Sequence, residues 1–183
     1  MECERHREST SRDRFRIFAD GKLTYPMKIL MVCLGNICRS PLAEGILQER
    51  AWKAGLDWSV ESAGTLSYHQ GSPPHPMSVR VARENGIDIS RQRSRPFKAE
   101  DFDRFDRIFA MSGDVLDEMR HIAGKRFDPG KAGLLLNILQ PGDDLDVPDP
   151  YMGPIESFKD VFRMVDMACT RFVDMHTSDT PDS

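Results

Sequence analysis

The segment Lys28 to Cys33, KILMVC, is apolar at every position after its first. Such a run, without polar alternation, predicts a parallel strand covered on both faces. A short loop, LGNICRS, follows, and from Pro41 onward Leu42, Ile46, Leu47 and Ala51 recur at helical spacing on one face. Proline suits a first helical turn because it has no N–H to leave unpaired, and Gly55 is placed to stop the helix. The alternation continues along the chain. Residues 58–63 (WSVESA), 107–111 (RIFAM) and 132–139 (AGLLLNIL) read as strands, and Met77 to Asn85 and Asp114 to Ile122 read as helices. A last helix is expected from about Ile155 to about Met175, burying Ile155, Phe158, Phe162, Val165, Cys169 and Phe172. Strands alternating with helices predict an α/β domain of three layers, a parallel sheet with helices on both faces.

The ends lack this patterning. Residues 1–26 carry charges of both signs without periodicity and without the apolar stretch of a secretory signal. They are expected to be a flexible extension, with the folded domain spanning 27–176 and a polar tail at 177–183. The apolar runs ILMVCL and GLLLNIL fall far short of a membrane span. A length of 183 residues suits one core. With 25 Lys+Arg against 29 Asp+Glu, the net charge of -4 disfavours a nucleic-acid partner. The four cysteines, Cys3, Cys33, Cys38 and Cys169, are too few for a disulfide scaffold. No Cys or His pair has zinc-ligand spacing. A cytoplasmic, metal-free monomer is the expectation.

The densest chemistry lies in Val32-Cys33-Leu34-Gly35-Asn36-Ile37-Cys38-Arg39-Ser40-Pro41, between a buried strand and a helix N-terminus. Successive backbone N–H groups can converge there on a tetrahedral oxyanion. Gly35 and Asn36 can take the left-handed conformations such a loop requires. Arg39 adds a planar fork for two phosphate oxygens. Cys33 would lie at the bottom of the cradle, where the same donors would stabilise a nucleophilic thiolate. Ser40 can donate to that sulfur. A leaving oxygen also needs a proton, and Asp149, between Pro148 and Pro150, is the candidate acid. Asp143, Asp144 and Asp146 read as solvated loop charges.

Together, Cys33 to Pro41 (CLGNICRSP) and Asp149-Pro150-Tyr151 resemble the two signature loops of the low-molecular-weight protein tyrosine phosphatase family. Glu61-Ser62-Ala63-Gly64-Thr65, Gly86-Ile87-Asp88 and Glu100-Asp101-Phe102 extend the likeness over about residues 27–175. The resemblance implies a doubly wound, four-stranded parallel sheet and a two-step mechanism that needs no cofactor. Cys33 would attack phosphorus and Asp149 would protonate the phenol, then activate water against a phosphocysteine. Arg39 would bind the phosphate, while Asn36, Ser40 and Ser62 would support the loop. The loop residues Leu34, Gly35, Asn36, Ile37, Cys38 and Ser40 would bind substrate, together with Tyr68 and Tyr151 as pocket walls. Cys38 would guard Cys33 by a reversible disulfide. Phosphotyrosine proteins would be the partners, a tyrosine autokinase among them if the source is bacterial.

Several positions depart from the family pattern. Met152 stands where a second tyrosine is common, Gln92 replaces a histidine while keeping a hydrogen-bonding group, and His75 replaces an aspartate before Pro76. His69 and His75 read as loop histidines. The run Arg91-Gln92-Arg93-Ser94-Arg95 reads as a solvated basic edge, with steering of acidic phosphopeptides as its functional alternative. Two other activities fit the scaffold. Arsenate reductase is disfavoured because no relay cysteine occurs between Cys38 and Cys169. Protein-arginine phosphatases resemble a threonine at the place of Ile37, and isoleucine favours the tyrosine reading.

Overall fold

Alternate residues of the strand Met27–Cys33 enter two different cores, which is why the sequence shows no polar alternation there. Ile29, Met31 and Cys33 face one core, whereas Leu30 and Val32 face the other. The structure, a computed structural model, describes residues 26–177 and two short strands before them. In chain order the elements are β1 (Arg16–Ile17), β2 (Leu23–Thr24), β3 (Met27–Cys33), α1 (Arg39–Lys53), β4 (Trp58–Gly64), α2 (Pro76–Glu84) and α3 (Asp101–Arg104). Then come β5 (Arg107–Ala110), α4 (Gly113–Ala123), β6 (Ala132–Leu134) and α5 (Ile155–Thr177).

The main sheet is parallel throughout, in the order β4-β3-β5-β6. The chain leaves β3 to one side for β4 and returns to its other side for β5. The C-terminal end of β3 is therefore the topological switch point, where loops on either side part and leave a crevice. One face of the sheet is covered by α1, α2 and α5, which contribute Leu42, Ile46, Val81, Phe158, Phe162 and Phe172 to its core. The opposite face is covered by α4 with Val115 and Met119, and by Phe97, Phe102 and Phe105. Among the described residues, no helix is long and apolar enough to cross a membrane.

Four details differ from the sequence expectation. The first helix starts at Arg39 rather than Pro41, so Arg39 and Ser40 lie in its first turn and Pro41 is its third residue. All three positions lack intrahelical N–H partners, so proline is tolerated there. Of the strand expected over 132–139, only Ala132–Leu134 pairs with β5, whose own four residues end the ladder. Leu135 to Ile138 turn into a 3₁₀ segment that buries Leu135 and Leu136 against the α5 side. The short helix α3 has no counterpart in the sequence expectation. Finally, β1 and β2 form an antiparallel ribbon within the expected extension. The rest of that extension before Pro26, with Cys3, and the tail beyond 177 lie outside the described residues.

Gly64 ends β4 where the chain passes closest to the loop after β3. A Cβ there would lie 2.8 Å from the Leu34 carbonyl oxygen and 3.0 Å from the Asn36 amide nitrogen, both backbone atoms. Gly64→Ala is expected to lower stability by about 1–3 kcal/mol in urea denaturation, as overpacking does. Gly133→Ala, with nothing within 4 Å of the new methyl group, serves as the control and should shift the midpoint little.

Candidate active site

The loop Leu34–Cys38 is fastened by its carbonyls. The Thr65 and Leu66 amides donate to the carbonyls of Cys33 (3.0 Å) and Leu34 (2.9 Å), and the His75 amide donates to that of Ile37 (2.8 Å). Ser94 Oγ donates to the Gly35 carbonyl at 3.2 Å, and Ser78 Oγ to that of Cys38 at 3.3 Å. In a trans peptide the C=O and the following N–H point opposite ways. Carbonyls held outward therefore leave amides on the inner side, as an anion-binding nest requires. One of them is seen at work, the Asn36 N–H donating to Cys33 Sγ at 3.2 Å. Asn36 has φ 53, the left-handed conformation expected of it. Gly35 is not left-handed; its missing side chain instead admits His69, whose Cδ2 would lie 3.1 Å from a Cβ.

Cys33 is 2% exposed. Its Sγ lies 3.0 Å from Ser40 Oγ. Asn36 Nδ2 donates to Ser40 Oγ (2.9 Å) and to Ser62 Oγ (2.8 Å), and Ser62 Oγ donates to Glu44 at 2.6 Å. The Asn36 Oδ1 accepts from the Arg95 amide at 2.9 Å. Arg39 donates to the Val147 carbonyl at 3.1 Å and to Asp149 Oδ2 at 2.8 Å. Its Nε is buried with no partner among the described residues. The other oxygen of Asp149 accepts from the Tyr151 amide at 3.1 Å.

Of these groups, Cys33, Arg39, Asp149 and Tyr151 share one cavity of about 260 Å³. Buried Cys33, Cys38 and Arg39 form its inner end, with Gly35 and Ile37. Leu34, Leu66, Tyr68, His69, Asp149 and Tyr151 complete it toward solvent. Tyr68 is 88% exposed and touches His69 edge-on, so it stands at the mouth rather than in the wall. Burial pushes the Cys38 thiol up to about 12, with neighbouring Cys33 and Asp149 adding to it, so Cys38 stays protonated near neutrality. Arg39 and Asp149 are the two charged side chains lining the cavity.

Residues 28–180 match the family model described as low molecular weight phosphotyrosine protein phosphatase. The chain belongs to this family. A curated relative, the low molecular weight protein-tyrosine-phosphatase YfkJ of Bacillus subtilis, is 35% identical over 149 residues, covering 80% of this chain and 94% of the relative. The crystal structure of YfkJ superposes with a TM-score of 0.76 at 34% identity, covering 84% and 96% of the two chains. The YwlE arginine phosphatase, also from Bacillus subtilis, shares the fold at 27% identity with a TM-score of 0.74, covering 84% and 98%.

Within this phosphatase-family site, several residues are not legible in the sequence as site residues. Ser94 and Arg95 brace the loop instead of forming a solvated edge. Arg95 pairs with Glu61 (3.1 Å) and with Asp101 (3.0 Å), which is 1% exposed, while its amide holds Asn36. Arg93 folds back onto the carbonyls of Ser90 and Gln92. Gln92 Oε1 is buried without a partner among the described residues. Glu44 carries no sequence signal that marks it. Burial pushes its carboxyl up to about 7; the Ser62 hydrogen bond opposes the rise, Glu61 adds to it and Arg95 opposes it.

A carboxyl whose folded value lies above its usual 4.5 favours folding fully below that pH, and the contribution is lost as pH rises through about 7. The unfolding free energy is therefore expected to decline between those two values. Glu44→Gln keeps an acceptor for Ser62 but cannot ionise. Urea denaturation between pH 4.5 and pH 8 should show a flatter profile for the variant. Parallel profiles would show that Glu44 is not the group responsible.

Proposed function

We propose that the protein hydrolyses phosphotyrosine in proteins through a phosphocysteine intermediate. The observation that carries this reading is the meeting, in one apolar-walled cavity, of Cys33 Sγ, the inward amides of its loop, the Arg39 fork and the Asp149 carboxylate. Hydrogen bonds from the Asn36 amide and the Ser40 hydroxyl stabilise negative charge on the sulfur, both as it attacks and as it later leaves. When a phosphate enters, Arg39 is the group to hold its equatorial oxygens, with Nε already unpaired. Asp149 is then released from its ion pair and stands at the mouth, where the bridging oxygen would lie. It protonates the departing phenol, then takes a proton from the water that cleaves the phosphocysteine.

Leu34, Ile37 and Tyr151 supply the apolar walls that favour an aryl ester, with Tyr68 at the rim. Asn36, Ser40 and Ser62 keep the loop in shape. The cavity takes phosphate itself as product. Phosphotyrosine proteins are the proposed partners, a tyrosine autokinase among them in a bacterial source, and the protein acts as a monomer. Three buried cysteines in the thiol form accord with a reducing compartment such as the cytoplasm. Cys38 lines the same cavity as Cys33, so it is the proposed trap for a Cys33 sulfenic acid, giving a disulfide and water. The likeness to YwlE keeps phosphoarginine as the competing substrate.

Hydrolysis of phosphotyrosine, phosphoserine and phosphoarginine peptides without added metal tests the reading. Turnover is expected with phosphotyrosine and none with Cys33→Ser; faster release from phosphoarginine would replace tyrosine with arginine as the substrate. Asp149→Ala should slow esters of poor leaving groups by about 10²–10⁴-fold. Esters of strongly acidic phenols, which need no proton, should be slowed much less, and an equal loss on both would remove Asp149 from the acid role.

A further inference from the structure

His75 joins three parts of the site that are far apart in sequence. Its backbone amide donates to the Ile37 carbonyl of the phosphate-binding loop at 2.8 Å. Its Nδ1 accepts from the Met77 amide at 3.2 Å, capping α2. An Nδ1 that accepts leaves the proton on Nε2 of a neutral ring, and partial burial lowers the pKa of the ring, which favours that form. The ring stacks on Phe158, with centroids 5.1 Å apart and planes 17° from parallel. Its other contact is edge-on to Tyr151, at 5.8 Å and 70°.

The two aromatic neighbours differ in burial. Phe158 is 0% exposed, in the first turn of α5, and belongs to the main core. Tyr151 is half exposed in a loop between prolines. Among the described residues, His75 is the one ring recorded against that of Tyr151. Any residue but proline could supply the amide to Ile37, and other N-cap residues could receive the Met77 amide. The ring is the part of His75 that meets both Phe158 and Tyr151.

From this geometry we propose that His75 is a specificity-positioning residue: its ring, seated on Phe158, fixes Tyr151 as the wall against which an aryl group on the phosphate packs. The inference rests on the proposed function for the nature of the substrate, but not on turnover. The Tyr151 amide also donates to Asp149, so the same contact steadies the acid loop. His75 acts through Tyr151 and touches no reacting atom.

Calorimetric binding of benzylphosphonate and of inorganic phosphate separates the ring from the cap. Both ligands use the phosphate-binding loop, and only the first needs the wall. His75→Asp keeps the cap and loses the ring. It should weaken benzylphosphonate by about two- to tenfold, the scale of one aromatic contact, with phosphate affinity near wild type. His75→Phe keeps the ring and loses the cap. It should retain the preference for benzylphosphonate over phosphate while melting at a lower temperature. An unchanged preference in His75→Asp, or an equal loss of preference in both variants, would overturn the proposal. A wild type that shows the preference yet hydrolyses no phosphotyrosine would remove the hydrolytic reading and leave the role of His75 standing.

Discussion

Asn36 ties the loop Leu34–Cys38 to the body of the protein through one amide side chain, and the direction of that amide orders the hydrogens around it. The Arg95 N–H must find an acceptor, which turns Oδ1 toward it and Nδ2 toward Ser40 and Ser62. Both hydroxyls thus receive a hydrogen from Asn36 and keep their own to give elsewhere. Ser62 gives to Glu44, and the Ser40 hydroxyl lies between two acceptors for its hydrogen, the Cys33 sulfur at 3.0 Å and the Ala63 carbonyl at 3.4 Å. A buried network in which every group has its complement is cooperative. An aspartate here, without donors, would leave the two hydroxyls without a fixed sense. The backbone at this residue is left-handed, a conformation that asparagine tolerates better than most.

The surrounding fold supplies the counterparts of this hub from both sides of β3. Gly64, at the end of β4, lets the loop pass within backbone contact. The early start of α1 places Arg39 and Ser40 in a first turn, pointing back toward the strand they follow. The segment before α3 brings Ser94 and Arg95 against the loop, and the deeply buried Asp101 anchors Arg95 from below. A charge as buried as that of Asp101 is tolerable because two arginines and the Lys98 amide surround it.

The features legible in the sequence are those that are local in it. The apolar run of β3, the loop from Cys33 to Arg39 and the periodicity of α5 each lie within one segment, so the order of residues alone reveals strand, cradle and helix. Ser94, Arg95 and Glu44 stay hidden, because their roles are set by residues 18 to 59 positions away and their types are ordinary on a surface. Arginine in RQRSR looks like a solvated charge until the buried Asp101 is placed beneath it. Leucine runs such as AGLLLNIL carry no strong preference for strand, and here the short ladder of β5 decides where pairing stops.

The ion pair between Arg39 and Asp149 makes the resting site a locked pair of opposite charges. A phosphate arriving at Arg39 would compete with a carboxylate already on the arginine, so its affinity would be the difference between two partners of one cation. On the proposed reading, the same competition would work in reverse after hydrolysis. Asp149, tethered beside Arg39 by its own loop, is an anion at high local concentration that would rebind as phosphate leaves. On the proposed reading, the residue that serves as acid would thereby also speed clearance of the product and keep a tight-binding cradle from becoming a phosphate trap.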